Sequence, residues 1–277
     1  MQAFAKVWSP PSGTLGRLVQ EAWARAAELE PRAGELRRAA LHAPPAPPFA
    51  GALCGPHVAV IAELKRSSPS KGDINPALEA GERCAAYARG GAAALSILTE
   101  PAHFGGRPAD ITDARARVII PLLKKDFHVH PAQLAEARVL GASAALLIAR
   151  ALSPAELAQL AREAEELGLE TLVEVRDEWE LERAVRARAT AIGVNNRDLE
   201  TLSIDAAVSA RLVPLIPAET PAVYESGVRT ADEVREAAAL GADAVLVGSS
   251  ISASDDAEGS VRALASVPRV PRARDVA

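Results

Sequence analysis

From residue 57 onward the chain alternates between two kinds of segment, and this alternation restricts the possible folds more than any other property of the sequence. Short runs rich in β-branched residues and leucine, "HVAVIAEL", "AAALSILT", "VIIPLLKK", "SAALLIA", "ETLVEV", "ATAIGVN", "PAVYES" and "DAVLVGS", read as buried strands. Between them lie Ala/Glu/Arg segments of helical period such as "PALEAGERCAAYARG", "PAQLAEARVLG", "SPAELAQLAREAEELG", "EWELERAVRARA" and "TADEVREAAALG", several opening at Ser, Thr or Pro and ending at Gly. Gly91-Ala92, Gly141-Ala142 and Gly241-Ala242 each close a helix and open the next strand, so the unit recurs. Eight units in about 200 residues suit a closed (β/α)8 TIM barrel of class α/β better than a doubly wound sheet, which needs fewer strands and a glycine-rich nucleotide turn. No GxGxxG or Walker sequence occurs.

Residues 1–55 stand outside the pattern and form an N-terminal helical extension. "LGRLVQEAWARAAEL" puts Leu15, Leu18, Val19, Ala22, Trp23 and Ala26 on one stripe, which predicts a helix packed on the barrel or over one end, followed by a stiff proline connector, "APPAPPF". The barrel is expected over 56–268, with a flexible, solvated tail over 269–277. A hydrophobic share of 49% is ample for one large core. A formal charge of -5 argues against nucleic acid as a partner, and no apolar stretch is long enough to cross a bilayer. Two cysteines without CxxC spacing fit a reducing compartment, so a cytoplasmic protein is expected.

Charge placement suggests chemistry. In such a barrel the catalytic groups hang from the C-terminal ends of the strands, while the strand interiors are apolar. Glu63 and Lys65, two residues apart at the end of the first run, point to the same side at the mouth. Taken alone they could be a structural ion pair. The third, fifth, sixth, seventh and eighth runs, however, also finish with polar groups: "LLKKDF", "LVEVRD", "GVNNRDL", "YESG" and "VGSS". Six polar strand ends aimed at one rim predict an active site, because burying so many charges for packing alone would cost several kcal/mol per unpaired ion. Ser226, Gly227, Gly248 and Ser249 sit in turns leading toward helix starts, where free backbone N–H groups favour a phosphate.

"IAELKRSSPSKG", "SILTE..HFGG", "LLKKDF", "LVEV", "GVNNRDLETL", "ESGV" and "LVGSS" occur in the order, and on the strands, found in indole-3-glycerol phosphate synthases, a family the chain resembles over nearly its whole length. The resemblance implies a carboxy-lyase of tryptophan biosynthesis that acts on a sugar phosphate, 1-(2-carboxyphenylamino)-1-deoxyribulose 5-phosphate, without a cofactor or metal. It also implies roles. Lys125 would be the general acid of ring closure, Glu174 an acid or base in dehydration, Glu63 its partner in proton removal, and Lys65 the partner of the substrate carboxylate. Asn195 and Arg197 would orient the substrate. Phosphate would lie against Ser68, Gly227, Gly248 and Ser249, with Ser226 close by, and Phe104, Phe127, Leu146, Leu199 and Leu246 would form an apolar wall. Lys124 points to the other barrel face by strand alternation. Tyr224 departs from the small residue usual before "ESG" and leaves two orientations open, inward at the mouth or outward under a helix.

Three other readings compete. "HVH", His128 to His130, could offer a zinc site, but no third ligand follows at another strand end. A phosphoribosyl isomerase would need a different acid/base pair, and a non-catalytic barrel would have no use for all four of Glu63, Lys65, Lys125 and Glu174. Oligomeric state is expected to be a monomer or weak dimer, and the segment 65–75 and the surroundings of Phe104 are expected to be the moving loops.

Overall fold

The computed structural model describes residues 7–272. Eight parallel strands close into a barrel: β1 Ala59–Leu64, β2 Ala94–Leu98, β3 Leu122–Lys125, β4 Ala144–Ile148, β5 Glu170–Val175, β6 Ala191–Asn195, β7 Ala222–Glu225 and β8 Ala244–Val247. Each strand pairs with its sequence neighbours, and β1 closes the ring on β8 through Ala59 opposite Ala244. All eight lie within the runs read from the sequence. Buried on both faces, they carry continuous apolar stretches rather than an alternating pattern.

The helices are α1 Gly13–Leu29, α2 Ala33–Leu41, α3 Ala80–Arg89, α4 Ala109–Arg115, α5 Pro131–Val139, α6 Pro154–Glu166, α7 Glu178–Arg186, α8 Ala207–Leu212, α9 Ala231–Ala239 and α10 Ala257–Leu264, with one-turn helices between some of them. Their starts are set by local chemistry. At α6 the Ser153 hydroxyl accepts from the Glu156 amide (3.3 Å) while the Glu156 carboxylate accepts from the Ser153 amide (2.7 Å), and Thr230 with Glu233 repeats this at α9. Their ends are equally specified: the amides of Ala92, Ala142 and Ala242 each reach back five residues, to the carbonyls of Tyr87, Ala137 and Ala237. The glycine before each alanine has φ near +90°, a left-handed geometry that ends the helix and turns the chain into the next strand.

α1 joins the barrel core through Leu15, Leu18, Ala22 and Ala26. Trp23 departs from the expected buried stripe: it remains 43% exposed at the stripe's edge, with its ring edge-on to His130 at 6.1 Å. The expectation of a solvated tail from residue 269 also needs correction in its described part. Arg269 and Arg272 both pair with buried Asp243, at 2.5 and 2.9 Å, and Arg272 further donates to the carbonyls of Ala218 and Thr220. Residues 273–277 lie outside the described residues, as do residues 1–6 of the extension. Asp243→Ala is expected to lower unfolding free energy by about 3 kcal/mol, because it strands two arginines that share one buried carboxylate. Urea denaturation measures this, and a change below about 0.5 kcal/mol would contradict it.

Among the described residues no helix is long and apolar enough to cross a membrane.

Candidate active site

The C-terminal ends of the strands line one cavity of about 500 Å³, and its floor is ionic. Lys125, the last residue of β3, sits at the centre: its Nζ lies 2.8 Å from Glu174 Oε1 on β5, 3.7 Å from Glu225 Oε2 on β7 and 4.0 Å from Glu63 Oε2 on β1. Lys65 Nζ is 2.5 Å from the other oxygen of Glu63, so two lysines share that carboxylate. Ser96 of β2, directly opposite Glu63 in the register, donates its hydroxyl to Glu63 at 3.2 Å. Asn195, at the end of β6, donates from Nδ2 to Glu174 at 3.2 Å, and its Oδ1 accepts from the Ser226 hydroxyl (3.0 Å) and the Arg197 amide (2.9 Å). Lys124 faces outward and pairs with Glu136 of α5 at 2.6 Å, as alternation along the strand requires.

These carboxyl groups are buried, so their charge states depend on their neighbours. Burial works against ionisation of Glu63, but Lys65 and Lys125 outweigh it and hold the group below the usual carboxylate range. Glu174 is depressed in the same way, with Lys125 the main partner overcoming burial. Glu225 goes the other way: burial and the nearby charge of Glu174 raise it well above the usual range. Burial alone would lower Lys125, yet Glu174, Glu225 and Glu63 together raise it, so its ammonium form is retained. The floor thus groups two lysines with three carboxyl groups, of which Glu225 holds its proton most tightly.

Two glycines make room for this cluster. A Cβ on Gly193 would stand 2.0 Å from Glu225 Oε1, and one on Gly248 would stand 2.5 Å from Glu63 Oε1. Gly248, expected from the sequence as part of a phosphate turn, is therefore also required by the carboxylate beneath it. Ser68, Ser226, Gly227, Gly248 and Ser249 all line the cavity, and the Ser68 hydroxyl is buried without a hydrogen-bond partner. The expected placement at helix starts is only partly met. The helix at Ser249–Ser252 is a single turn, and α9 begins four residues after Gly227, so neither turn leads directly into a long helix. Ser226 and Gly227, with φ of 67° and 105°, form the turn.

Apolar side chains line the same cavity. Phe104 and Phe127 lie with ring centroids 6.5 Å apart, and Leu146, Leu199 and Leu246 line the same cavity. Arg197 reaches the rim, with its Nη1 donating to the Leu202 carbonyl at 2.7 Å. Tyr224 takes the outward alternative, half-buried near Glu233 and Glu236 of α9. The two histidines of "HVH" serve separate places: His128 is buried with Nδ1 against the Leu146 carbonyl at 2.8 Å, while His130 Nδ1 caps α5.

The cavity also contains residues that the sequence does not single out: Glu225, and Thr14 and Leu18 from α1. For Glu225 a signal exists. It is opposite Asn195 in the register, at the same depth as the other charged strand ends. A carboxyl raised on folding binds its proton more tightly in the folded state, so stability falls as pH rises above the ordinary carboxyl range near ~4.3. Glu63 and Glu174 are depressed and act only below that range. Glu225→Gln is therefore expected to lose less stability between pH 5 and pH 8 than the wild type, by urea denaturation. His128, lowered to about 4 mainly by burial, contributes equally to both proteins. Equal losses would contradict a protonated Glu225.

The chain matches the family model described as indole-3-glycerol phosphate synthase over residues 17–264. "Indole-3-glycerol phosphate synthase 2" of Streptomyces coelicolor is 46% identical over 258 residues, covering 91% of this chain and 99% of the relative. The indole-3-glycerol phosphate synthase of Opitutus terrae is 48% identical over 220 residues, covering 77% and 83%. Among solved structures, 3-hexulose-6-phosphate synthase from Salmonella typhimurium superposes with a TM-score of 0.61 at 15% identity, covering 75% of this chain and 97% of that one, a likeness of fold alone. With the matched residues spanning the barrel and its N-terminal helix, the chain belongs to the indole-3-glycerol phosphate synthase family.

Proposed function

We propose that the chain closes the indole ring of 1-(2-carboxyphenylamino)-1-deoxyribulose 5-phosphate, releasing carbon dioxide and water to give indole-3-glycerol phosphate. The observation that best supports this reading is the Lys125 ammonium held among three buried carboxyl groups, at the floor of a cavity lined both by apolar side chains and by serine and glycine residues of tight turns. The substrate has matching parts: an aromatic ring, a carboxylate, a carbonyl to be protonated and a phosphate.

The ring carbon that bears the carboxylate attacks the ribulose carbonyl, and Lys125 donates a proton to the oxygen as charge develops there. Lys65 balances the substrate carboxylate until carbon dioxide leaves and the ring regains aromaticity. The new hydroxyl then departs as water. Glu174 takes up the proton that Glu225 holds more tightly and passes it to the departing hydroxyl, and Glu63 removes the proton from the neighbouring sugar carbon. Asn195 holds Glu174 and, with Arg197, orients the sugar; Ser226 is fixed by the same Asn195. Phosphate rests on Ser68, Gly227, Gly248 and Ser249, and the aromatic ring rests on Phe104, Phe127, Leu146, Leu199 and Leu246.

The proposed setting is cytoplasmic, with the chain a monomer or weak dimer and no nucleic acid among its partners. The side chains present cover every proton transfer, so the scheme uses neither cofactor nor metal. Incubation with the substrate should produce indole fluorescence together with one carbon dioxide per turnover. An isomerase of phosphoribosyl compounds or a binding-only barrel would leave the substrate carboxylate in place, and either result would overturn the reading.

A further inference from the structure

α1 runs along the rim of the active-site mouth and is fastened at both ends to segments that carry site residues. At its start no side chain of Ser12 caps the helix; instead Glu200, in the loop after β6 that also carries Arg197 and Leu199, accepts from the Thr14 amide at 2.9 Å. Thr14 and Leu18 then line the cavity. Arg25 lies eleven residues beyond Thr14, about 16 Å along the helix axis at the α-helical rise.

At that end Arg25 meets two carboxylates on neighbouring strand ends. Its Nη2 donates to Asp126 Oδ1 at 2.8 Å, and its Nη1 stands 3.6 Å from Glu100 Oε1. Asp126 directly follows Lys125. It also accepts from the Thr99 hydroxyl (2.6 Å) and the Phe127 amide (2.8 Å), so its carboxylate defines the backbone between Lys125 and Phe127. Glu100 caps the one-turn helix Pro101–Phe104, accepting from the amides of Ala102, His103 and Phe104. One turn earlier on α1, Glu21 meets His103 Nε2 at 2.8 Å, a second tie to the Phe104 segment. The side chains of Glu100 and Asp126 are 1% and 6% exposed, against 25% for Arg25, so the cation closes over two carboxylates that water barely reaches.

We infer that Arg25 is a positioning residue for the ring-closure reaction, because its guanidinium joins the two strand ends that present Lys125 and the Phe104–Phe127 wall. It touches no reacting atom. A planar, fixed fork suits two separate carboxylates better than a lysine ammonium does, and both acceptors are already committed to backbone amides, so a displacement of Arg25 is passed to the segments that those amides belong to. A misplacement of catalytic groups by about 1 Å can lower a rate by about a hundredfold.

The inference rests on the reaction proposed above, and its test has one arm that needs no activity. Arg25→Ala is expected to lower kcat about 10- to 100-fold and to raise KM, with Arg25→Lys recovering part of the loss. The chain has four phenylalanines, so 19F-phenylalanine labelling yields few signals: those of Phe104 and Phe127 should shift or broaden in Arg25→Ala, while that of Phe49, whose amide binds Glu170 at the opposite, N-terminal end of β5, stays in place. Should Arg25→Ala fail to fold, Arg25→Gln, which retains a side chain of similar reach without the charge, is read in its place. Lower thermal stability with kcat, KM and both fluorine signals unchanged would make Arg25 merely structural and overturn the inference. Absence of indole formation by the wild type would instead sink the reaction, leaving the fluorine arm to decide the positioning.

Discussion

Lys125→Ala lowers turnover by a factor of about a hundred or more while the barrel still folds, because a positioned general acid contributes about 10²–10⁴ to the rate. The effect is expected at the large end. Lys125 lies within 4.0 Å of three buried carboxyl groups, and without it Glu174 loses the 2.8 Å partner that favours its ionised form. Loss of Lys125 therefore removes the proton donor of ring closure and also alters the charge state of Glu174, on which the later dehydration depends. Initial rates followed by indole fluorescence, with circular dichroism to verify folding, measure the outcome. Turnover within tenfold of the wild type would refute the role assigned to Lys125.

Glu174→Gln is the second large effect. It keeps the size of the side chain and removes the acid/base function, so turnover is expected to fall by about 10²–10⁴ through the dehydration step. Ring closure depends on Lys125, whose Nζ still has Glu63 and Glu225 within 4.0 Å in this variant. The decarboxylated, still hydroxylated intermediate should therefore accumulate and be visible in quenched single-turnover samples. A rate loss with only unreacted substrate present would shift Glu174 to the first step.

The barrel was legible in the sequence because each strand is buried on both faces and each helix has chemical start and stop signals, such as Ser153 with Glu156 and the glycines at 91, 141 and 241. The charged rim was legible because side chains alternate strictly along a strand, which sends Lys125 inward and Lys124 outward to Glu136. Other features depend on contacts between residues far apart in the chain. Glu225 looks like one more polar strand end until the register sets it opposite Asn195 and the fold sets it beside Glu174, where burial and that neighbouring charge raise its pKa. Gly193 gives no sign in the sequence that it is the floor on which Glu225 rests. Arg25 reads as an ordinary polar position on an amphipathic helix, since its acceptors are 75 and 101 residues away. Arg272, expected in a solvated tail, is instead placed by Asp243, whose attraction for it is a long-range matter of packing.

The central claim is that a single ionic cluster performs two separable proton-transfer steps, ring closure through Lys125 and dehydration through Glu174. The most direct test follows carbon dioxide release and indole formation together in a single turnover of Glu174→Gln. A burst of carbon dioxide that precedes indole by many turnover times is the predicted result. Carbon dioxide and indole appearing in step, both slowed alike, would contradict it.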